Sequence, residues 1–243
     1  MKVKLSTLRN QIRKELLSEK FRTKYKGIRT AAQVSSEKTG SVLSKSGDKY
    51  YLGDKVTGLS GGRLTKIMKE LEQFVNAEYP ELGLRIETNG ITRDLAKAAD
   101  PGGNKARISG SKHGAGLAHD LKYHTTKHGE YTNYAKNNAV LAKDEKFVKL
   151  LDKFNKSQSD LNWGGTWGGS DPANGVVKGR GITELHHWEI SDRELVNYFE
   201  KIKDAIETLG FKVSDMISSK KRAAFYKALL ENPENFLADQ QQS

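Results

Sequence analysis

Apolar positions fall into a helical rhythm along several stretches of this chain. Leu64, Ile67, Met68, Leu71 and Phe74 form one stripe. That recurrence marks an amphipathic helix and predicts one over 62–78, closed by Pro80 and Gly83. Val140, Leu141, Phe147, Leu150, Leu151 and Phe154 predict another over 137–157. Ser191-Asp-Arg-Glu194 has the form of a capping box and opens a helix through Leu209, with Leu195, Phe199, Ile202 and Ile206 inward and Gly210 as its stop. A final helix is predicted over 214–231, with Lys220-Lys-Arg222 on a solvated face and a Gln-rich, disordered tail beyond it. Near the N-terminus, Leu5, Leu8, Ile12 and Leu16 keep the same spacing behind Ser6, a fair N-cap, and predict a short helix over 7–19.

Alternation, the mark of a half-buried strand, is rarer. Leu84-Arg-Ile-Glu-Thr88 alternates as a strand entering an Asn89-Gly90 turn. Leu117-Ala-His-Asp-Leu121 alternates loosely, and Leu185 to Ile190 reads as a short strand with aromatic packing. Residues 30–61 are rich in Ser, Gly, Thr and Lys and read as loop or linker, apart from a small hairpin at Tyr50-Tyr51-Leu52 after Ser46-Gly47-Asp48. Leu95 to Ala99 reads as one helical turn before Pro101-Gly-Gly103. Residues 157–170 form a Gly/Trp loop, and 171–181 a flexible loop whose tip borders a cleft. No internal repeat is visible.

Composition narrows the class. The 243 residues are 36% hydrophobic with a mean hydropathy of −0.69, which suits one domain with appendages or two small ones. No apolar run is long enough to span a bilayer, and no apolar segment follows the charged N-terminus as in a secretory signal. The net charge of +11 is uneven: residues 1–30 hold ten Lys and Arg against two acidic residues. Such a basic arm suits an anionic envelope, a nucleic acid or a docking partner; as a helix packed on its own domain it would simply be solvated. There are no cysteines, so any structural or catalytic metal must be held by His and carboxylate side chains.

The chemistry concentrates in Ser111-Lys-His-Gly-Ala-Gly-Leu-Ala-His-Asp120 and Glu184-Leu-His-His-Trp-Glu189. A catalytic zinc needs three protein ligands and one open position, and it activates a water and polarises a carbonyl. His113 falls in a glycine-rich turn and Asp120 in the strand that follows, so both can reach one point. The second stretch adds His187, with Glu184 three residues earlier as a proton acceptor. His186 and His187, as strand neighbours, should face opposite ways, so only one should be a ligand. Ser111 and Glu189 are candidates to orient a ligand. His119, His124 and His128 read as solvent-facing or cleft residues. Trp163, Trp167 and Trp188 read as core, Trp188 flanking the metal strand.

The pattern Ser-x-His-x-x-Gly-x-Ala-x-Asp followed by Glu-x-x-His-x-Glu resembles the zinc peptidases that include D-alanyl-D-alanine carboxypeptidases, VanX-type dipeptidases and phage L-alanyl-D-glutamate endopeptidases. The likeness covers roughly residues 62–190. It implies zinc held by His113, Asp120 and His187, with Glu184 as catalytic base. Trp163-Gly-Gly-Thr-Trp167 resembles the Trp-Gly-Gly-Asp-Trp block of the endopeptidase branch, with Thr166 in place of Asp. The family's upstream Ser-Gly-x-Arg has its nearest counterpart in Asn89-Gly-Ile-Thr-Arg93, one residue too long. Arg93 is therefore the candidate for holding a substrate oxygen, and Arg107 competes with it.

The resemblance implies an α+β fold: a small antiparallel sheet carrying the zinc site, flanked by helices. It divides the chain into a basic arm and linker (1–61), a peptidase domain (62–210) and a C-terminal helix and tail (211–243). The implied substrate is a peptidoglycan stem peptide, with the L-alanyl-D-glutamate bond favoured. The implied setting is a phage lytic or virion-associated enzyme, in the host cytoplasm or on the virion, whose arm contacts wall or other virion proteins rather than nucleic acid. The alternatives are a D-alanyl-D-alanine carboxypeptidase or dipeptidase, and a structural virion or nucleic-acid-binding protein with a vestigial peptidase domain.

Overall fold

A computed structural model describes residues 40–45, 48–57, 62–88, 92–94, 110–128, 134–178 and 184–237. The helix predicted over 7–19, the turn over 95–99, Arg107 and the Gln-rich tail lie outside the described residues. In chain order the elements are β1 (Gly40–Lys45), β2 (Asp48–Tyr51), α1 (Leu52–Thr57), α2 (Gly62–Glu78), β3 (Arg85–Thr88), β4 (Thr92–Asp94), β5 (Ala118–His124), α3 (Tyr134–Leu141), α4 (Glu145–Ser157), β6 (Leu161–Trp163), β7 (His187–Ile190), α5 (Asp192–Phe199), α6 (Lys203–Thr208), α7 (Ser219–Glu231) and α8 (Glu234–Leu237). The protein is α+β, the class that the resemblance implies. Among the described residues no helix is long and apolar enough to cross a membrane.

β3, β5, β7 and β6 form, in that order, a four-stranded antiparallel sheet. β2, β1 and β4 form a second sheet, antiparallel between β1 and β2 and parallel between β1 and β4. The predicted hairpin at Tyr50-Tyr51 is present, but Leu52 already belongs to α1. Leu52 and Val56, within the stretch whose composition reads as linker, are fully buried in the common core. Their four-residue spacing puts both on one face of α1.

The larger sheet has two unlike faces, because successive strand residues point opposite ways. Leu121, Tyr123, Leu161, Trp163, Trp188 and Ile190 are buried on the side that α2 and α4 cover. There Phe154 meets Trp188 edge-on at 5.8 Å and Phe74 at 5.4 Å, Tyr123 meets Phe147 at 5.4 Å, and Trp163 stacks on Trp188 at 5.9 Å. The opposite side carries Asp120, Lys122, His124, His187 and Glu189, a polar row on β5 and β7.

Three predicted helices are broken in the structure. The one expected over 214–231 is a 3-10 turn at Val213–Ile217 followed by α7, which starts afresh at Ser219 because Ser218 accepts the Lys221 N–H as its cap. The helix expected over 137–157 is α3 and α4, separated at Asp144. That carboxylate accepts the N–H of Phe147 as the cap of α4, and it also accepts from Tyr79, Lys127 and His128. An aspartate bonded to the backbone this way starts a helix and does not continue one. The helix expected over 191–209 is α5, a 3-10 turn at Glu200–Ile202, and α6. Ser191 stands at the N-cap of α5 but makes no capping bond, so the box read from the sequence is not formed.

Arg222, expected on a solvated face, is buried. It shares a helix face with Phe225, Tyr226 and Leu229, three, four and seven residues on. Its Nε donates to Gly110 O at 2.8 Å and its Nη1 to Met216 O and to Ile217 O, the latter at 2.8 Å. Tyr226 lies against Gly114, where an added Cβ would come within 2.7 Å of the ring. α7 is thereby fastened to the loop that leads into β5. Arg222→Met would leave three carbonyls without their donor and should cost about 3 kcal/mol in urea unfolding; a loss below about 0.5 kcal/mol, the level of an ordinary surface change, would show that the guanidinium does not clamp the loop.

Candidate metal centre

The pairing of β5 with β7 sets Asp120 directly opposite His187, both on the polar side of the sheet. His113 arrives from the 3-10 turn Lys112–Ala115 just before β5. Ser111 opens that turn by accepting the His113 N–H at 3.3 Å, and Gly116 closes it at φ 68°, a conformation that favours glycine. His113 Nε2, His187 Nδ1 and Asp120 Oδ1 then converge. The two nitrogens are 3.3 Å apart, and the carboxylate oxygen is 3.1 Å from His187 and 3.3 Å from His113. The three residues predicted as ligands are brought together, and they form a group that could hold a metal ion.

The other nitrogen of His187 is already committed. Nε2 lies 3.1 Å from Glu189 Oε2, so it donates there and leaves Nδ1 for the cluster. Glu189 in turn accepts from Lys112 Nζ at 2.9 Å, and Lys112 also donates to Ile190 O at 2.7 Å and pairs with Asp192 at 2.7 Å. Glu189 thus fixes the orientation of the His187 ring, whereas Ser111 supports only the backbone of His113. Lys112 was not foreseen. A buried lysine between a serine and a histidine has no signal in composition or periodicity; only the pairing of its turn with the end of β7 gives it three acceptors.

The second stretch differs from expectation at its start. Glu184–His186 is a 3-10 turn, and the strand begins only at His187. His186 and His187 therefore do not diverge as strand neighbours would. His187 joins the cluster, while His186 Nε2 stands 3.6 Å from Asp120 Oδ1 and 3.6 Å from Glu184 Oε2. The Glu184 side chain is 41% exposed and that of Asp120 24%, so the cluster opens to solvent on this side.

The turn is fixed from behind. Leu185 O accepts from Trp163 Nε1 at 2.8 Å and from Tyr123 OH at 3.0 Å, which fills both its lone pairs. Trp188 Nε1 donates to Tyr123 OH at 2.8 Å. Gly164 is pressed against the same turn: an added Cβ would lie 2.7 Å from Glu184 O and 3.1 Å from His187 Cβ. Trp163 and Trp188 are core, as read. Trp167 is not: it is 40% exposed, with its ring centroid 5.0 Å from that of His187, and it forms a wall of the opening.

The remaining sequence candidates lie outside the triad, although the strand of Arg93 packs against the turn that carries His113. Arg93 lies in β4, paired with Ser41. His119, read as solvent-facing or in the cleft, is fully buried, because it alternates with Asp120 and so turns to the apolar side across from Trp188. His124 Nε2 is 3.3 Å from Glu87 and His128 Nε2 is 2.8 Å from Asp144.

Charge follows from this packing. Burial alone would push the Asp120 carboxyl up, but the hydrogen bonds from His113 and His187 hold it well below the usual carboxylate range. Burial pulls His187 down, and its bonds to Asp120 and Glu189 more than offset this, raising it to about 9. Burial drives His119 down to about 3, so that ring is neutral.

The donors fit a cation. Bonds of about 2.0–2.1 Å in tetrahedral array separate neighbouring ligands by about 3.3–3.4 Å, close to the separations seen here, and two imidazoles with one carboxylate suit a divalent transition ion. Comparison with family models, with curated proteins and with solved structures returned no match for this chain. Fold and site together define an α+β protein whose sheet presents a three-residue centre able to hold a metal ion.

Metal binding at Nδ1 must displace one proton from His187. Its raised value means that the Asp120–His187 pair stabilises the chelated protein fully below about 6.5 and loses that contribution as pH rises through about 9. The depressed Asp120 adds stability above its ordinary 3.8 that is lost as pH falls further. The thermal stability of the chelated protein should therefore fall between pH 6.5 and 9, while metal affinity climbs by up to about tenfold per unit there; a flat profile in both would refute the pair. Gly164→Ala, which displaces His187 and the Glu184 turn, should lower metal affinity about 10–100-fold with the far-ultraviolet circular dichroism unchanged, and wild-type affinity would show that the contact is slack.

Proposed function

We propose that this protein is a zinc-dependent peptidase acting on the stem peptide of peptidoglycan, with the bond between L-alanine and D-glutamate as the favoured target. The observation that carries the reading is the convergence of His113, Asp120 and His187, 67 and 74 residues apart across the two stretches, to 3.1–3.3 Å. The same three residues are the ligands implied by the resemblance of the two stretches to the zinc carboxypeptidases, dipeptidases and phage endopeptidases of the wall. All the ligands are in place, which favours a working centre over a vestigial one.

When bound, zinc would acidify a water and polarise the scissile carbonyl. The protein's own groups do the rest. Glu184, exposed at the opening, accepts a proton from the attacking water and returns it to the leaving amine. Glu189, held by Lys112, keeps the His187 ring turned so that Nδ1 faces the cluster. Trp167 offers an exposed aromatic wall beside His187 against which an extended peptide can lie. The basic arm over residues 1–30 suits an anionic wall and a role in phage lysis or on a virion.

Mass spectrometry of digested peptidoglycan, with and without a chelator, tests this reading and names the bond. Products ending between L-alanine and D-glutamate are expected, lost on chelation and restored by zinc; release of D-alanine instead would make the protein a carboxypeptidase. Glu184→Ala should retain zinc and lose about 10²–10⁴-fold in rate. Digestion at the wild-type rate would remove Glu184 from the mechanism, and iron rather than zinc in the purified protein would remove the peptidase.

A further inference from the structure

His186 stands beside the three ligands without joining them. Its side chain is only one-tenth exposed, and its Nδ1 is 2.8 Å from Nδ2 of Asn138, a residue of α3 that is 1% exposed. An amide nitrogen donates and does not accept. Nδ1 is therefore the acceptor, and in the neutral ring the proton rides on Nε2. The opposite amide orientation would turn the carbonyl oxygen to the ring and bury the Asn138 NH2 without an acceptor, in place of the carbonyl oxygen that now lacks a partner among the described residues. Buried donors are left unpaired more rarely than buried carbonyls.

Nε2 stands 3.6 Å from Asp120 Oδ1 and 3.6 Å from Glu184 Oε2, one short movement of the glutamate from a hydrogen bond. Asp120 already accepts from His187 and lies 3.3 Å from His113, so Glu184 gains more from a further donor. A glutamate at the edge of an opening has three side-chain torsions to lose before it can act as a base, and a fixed donor beside it removes that freedom. We infer that His186, locked by Asn138 as its Nε2–H tautomer, is a positioning residue that holds the Glu184 carboxylate beside the metal cluster. The inference rests on Glu184 being the base.

The test uses the full chain loaded with zinc. Nitrogen-15 spectra of the imidazoles should show His186 protonated at Nε2 and bare at Nδ1, with the Nε2 resonance shifting in Glu184→Gln. His186→Leu should keep its zinc and lose about 10–100-fold in kcat on a stem-peptide substrate, as for other partners that orient a catalytic group, with KM within about twofold. His186→Gln, which keeps an N–H near the position of Nε2, should recover most of that loss. A leucine variant that cleaves at the wild-type rate overturns the inference and leaves the peptidase intact. A leucine variant that sheds zinc overturns it too, by making His186 a ligand. If the zinc-loaded wild type cleaves no stem peptide, the peptidase reading has failed on its own and the spectra decide: an Nδ1–H ring, or an Nε2 resonance unmoved by Glu184→Gln, overturns the contact, and the opposite pair of results sustains it.

Discussion

The site depends on one antiparallel pairing, Asp120 opposite His187. Directly opposed residues hold their Cβ atoms about 4.5–5.5 Å apart, so an aspartate and a histidine set there touch without distortion. The pairing is enforced from the other side of the sheet. A slip of one residue would turn Trp188 or His187 to the wrong face, and the indole of Trp188 would leave its place between Phe154 and Trp163. Truncating a buried tryptophan costs about 3–5 kcal/mol, several times the roughly 1 kcal/mol net of a single hydrogen bond. Apolar packing therefore sets the register, and the register places the polar atoms.

Hydrogen bonds then decide what packing alone leaves loose. The Leu185 carbonyl, held by an indole and a phenol, fixes the turn that carries Glu184 and His186. The two glycines after Trp163 serve the same turn, Gly164 by letting it approach and Gly165 by lying against the Trp163 ring, where a Cβ would come within 2.1 Å. On the far side, Arg222 and Tyr226 hold the loop before His113. Each donor to the cluster thus rests on a separate support: α7 for His113, the strand pairing for Asp120, and the Trp163 block with Glu189 for His187.

Much of this is legible in the sequence, for identifiable reasons. α2 shows because five apolar residues keep a helical period without interruption. His113, Asp120, His187 and Glu184 show because the spacing of the two stretches is itself a pattern. What escapes is decided by contacts between remote segments. Asp144 breaks a helix because Tyr79, Lys127 and His128 come to it from elsewhere, and nothing in the local period reports that. His119 was misplaced although alternation with Asp120 sends it to the apolar side; the polarity of its side chain outweighed the strand's own geometry. Arg222 could have been placed by its spacing to Phe225, Tyr226 and Leu229, but its neighbours Lys220 and Lys221 made the run look solvated. The 3-10 turn at Glu184–His186 is set by hydrogen bonds to Leu185 O from two other strands, and a six-residue window reads it as strand.

Charge at the centre follows the same division between local and remote. The chain carries +11, which on its face is a poor host for a cation. The groups in immediate contact around the cluster have a different balance. Asp120, Glu184 and Glu189 bring three carboxylates, against the Lys112 ammonium and the proton on His187, with Asp192 solvated at the margin. That leaves one negative charge, and exchanging the His187 proton for a dication brings the group to neutrality. Exposed charges beyond about 8 Å are largely screened at physiological salt, so lysines farther from the cluster than that contribute little there. Lys112 is the exception because it is buried, and its charge is shared between Asp192 and Glu189, the residue that turns His187 toward the cluster. A positively charged chain and a centre able to hold a cation are therefore compatible, since the carboxylates nearest the cluster set the balance there.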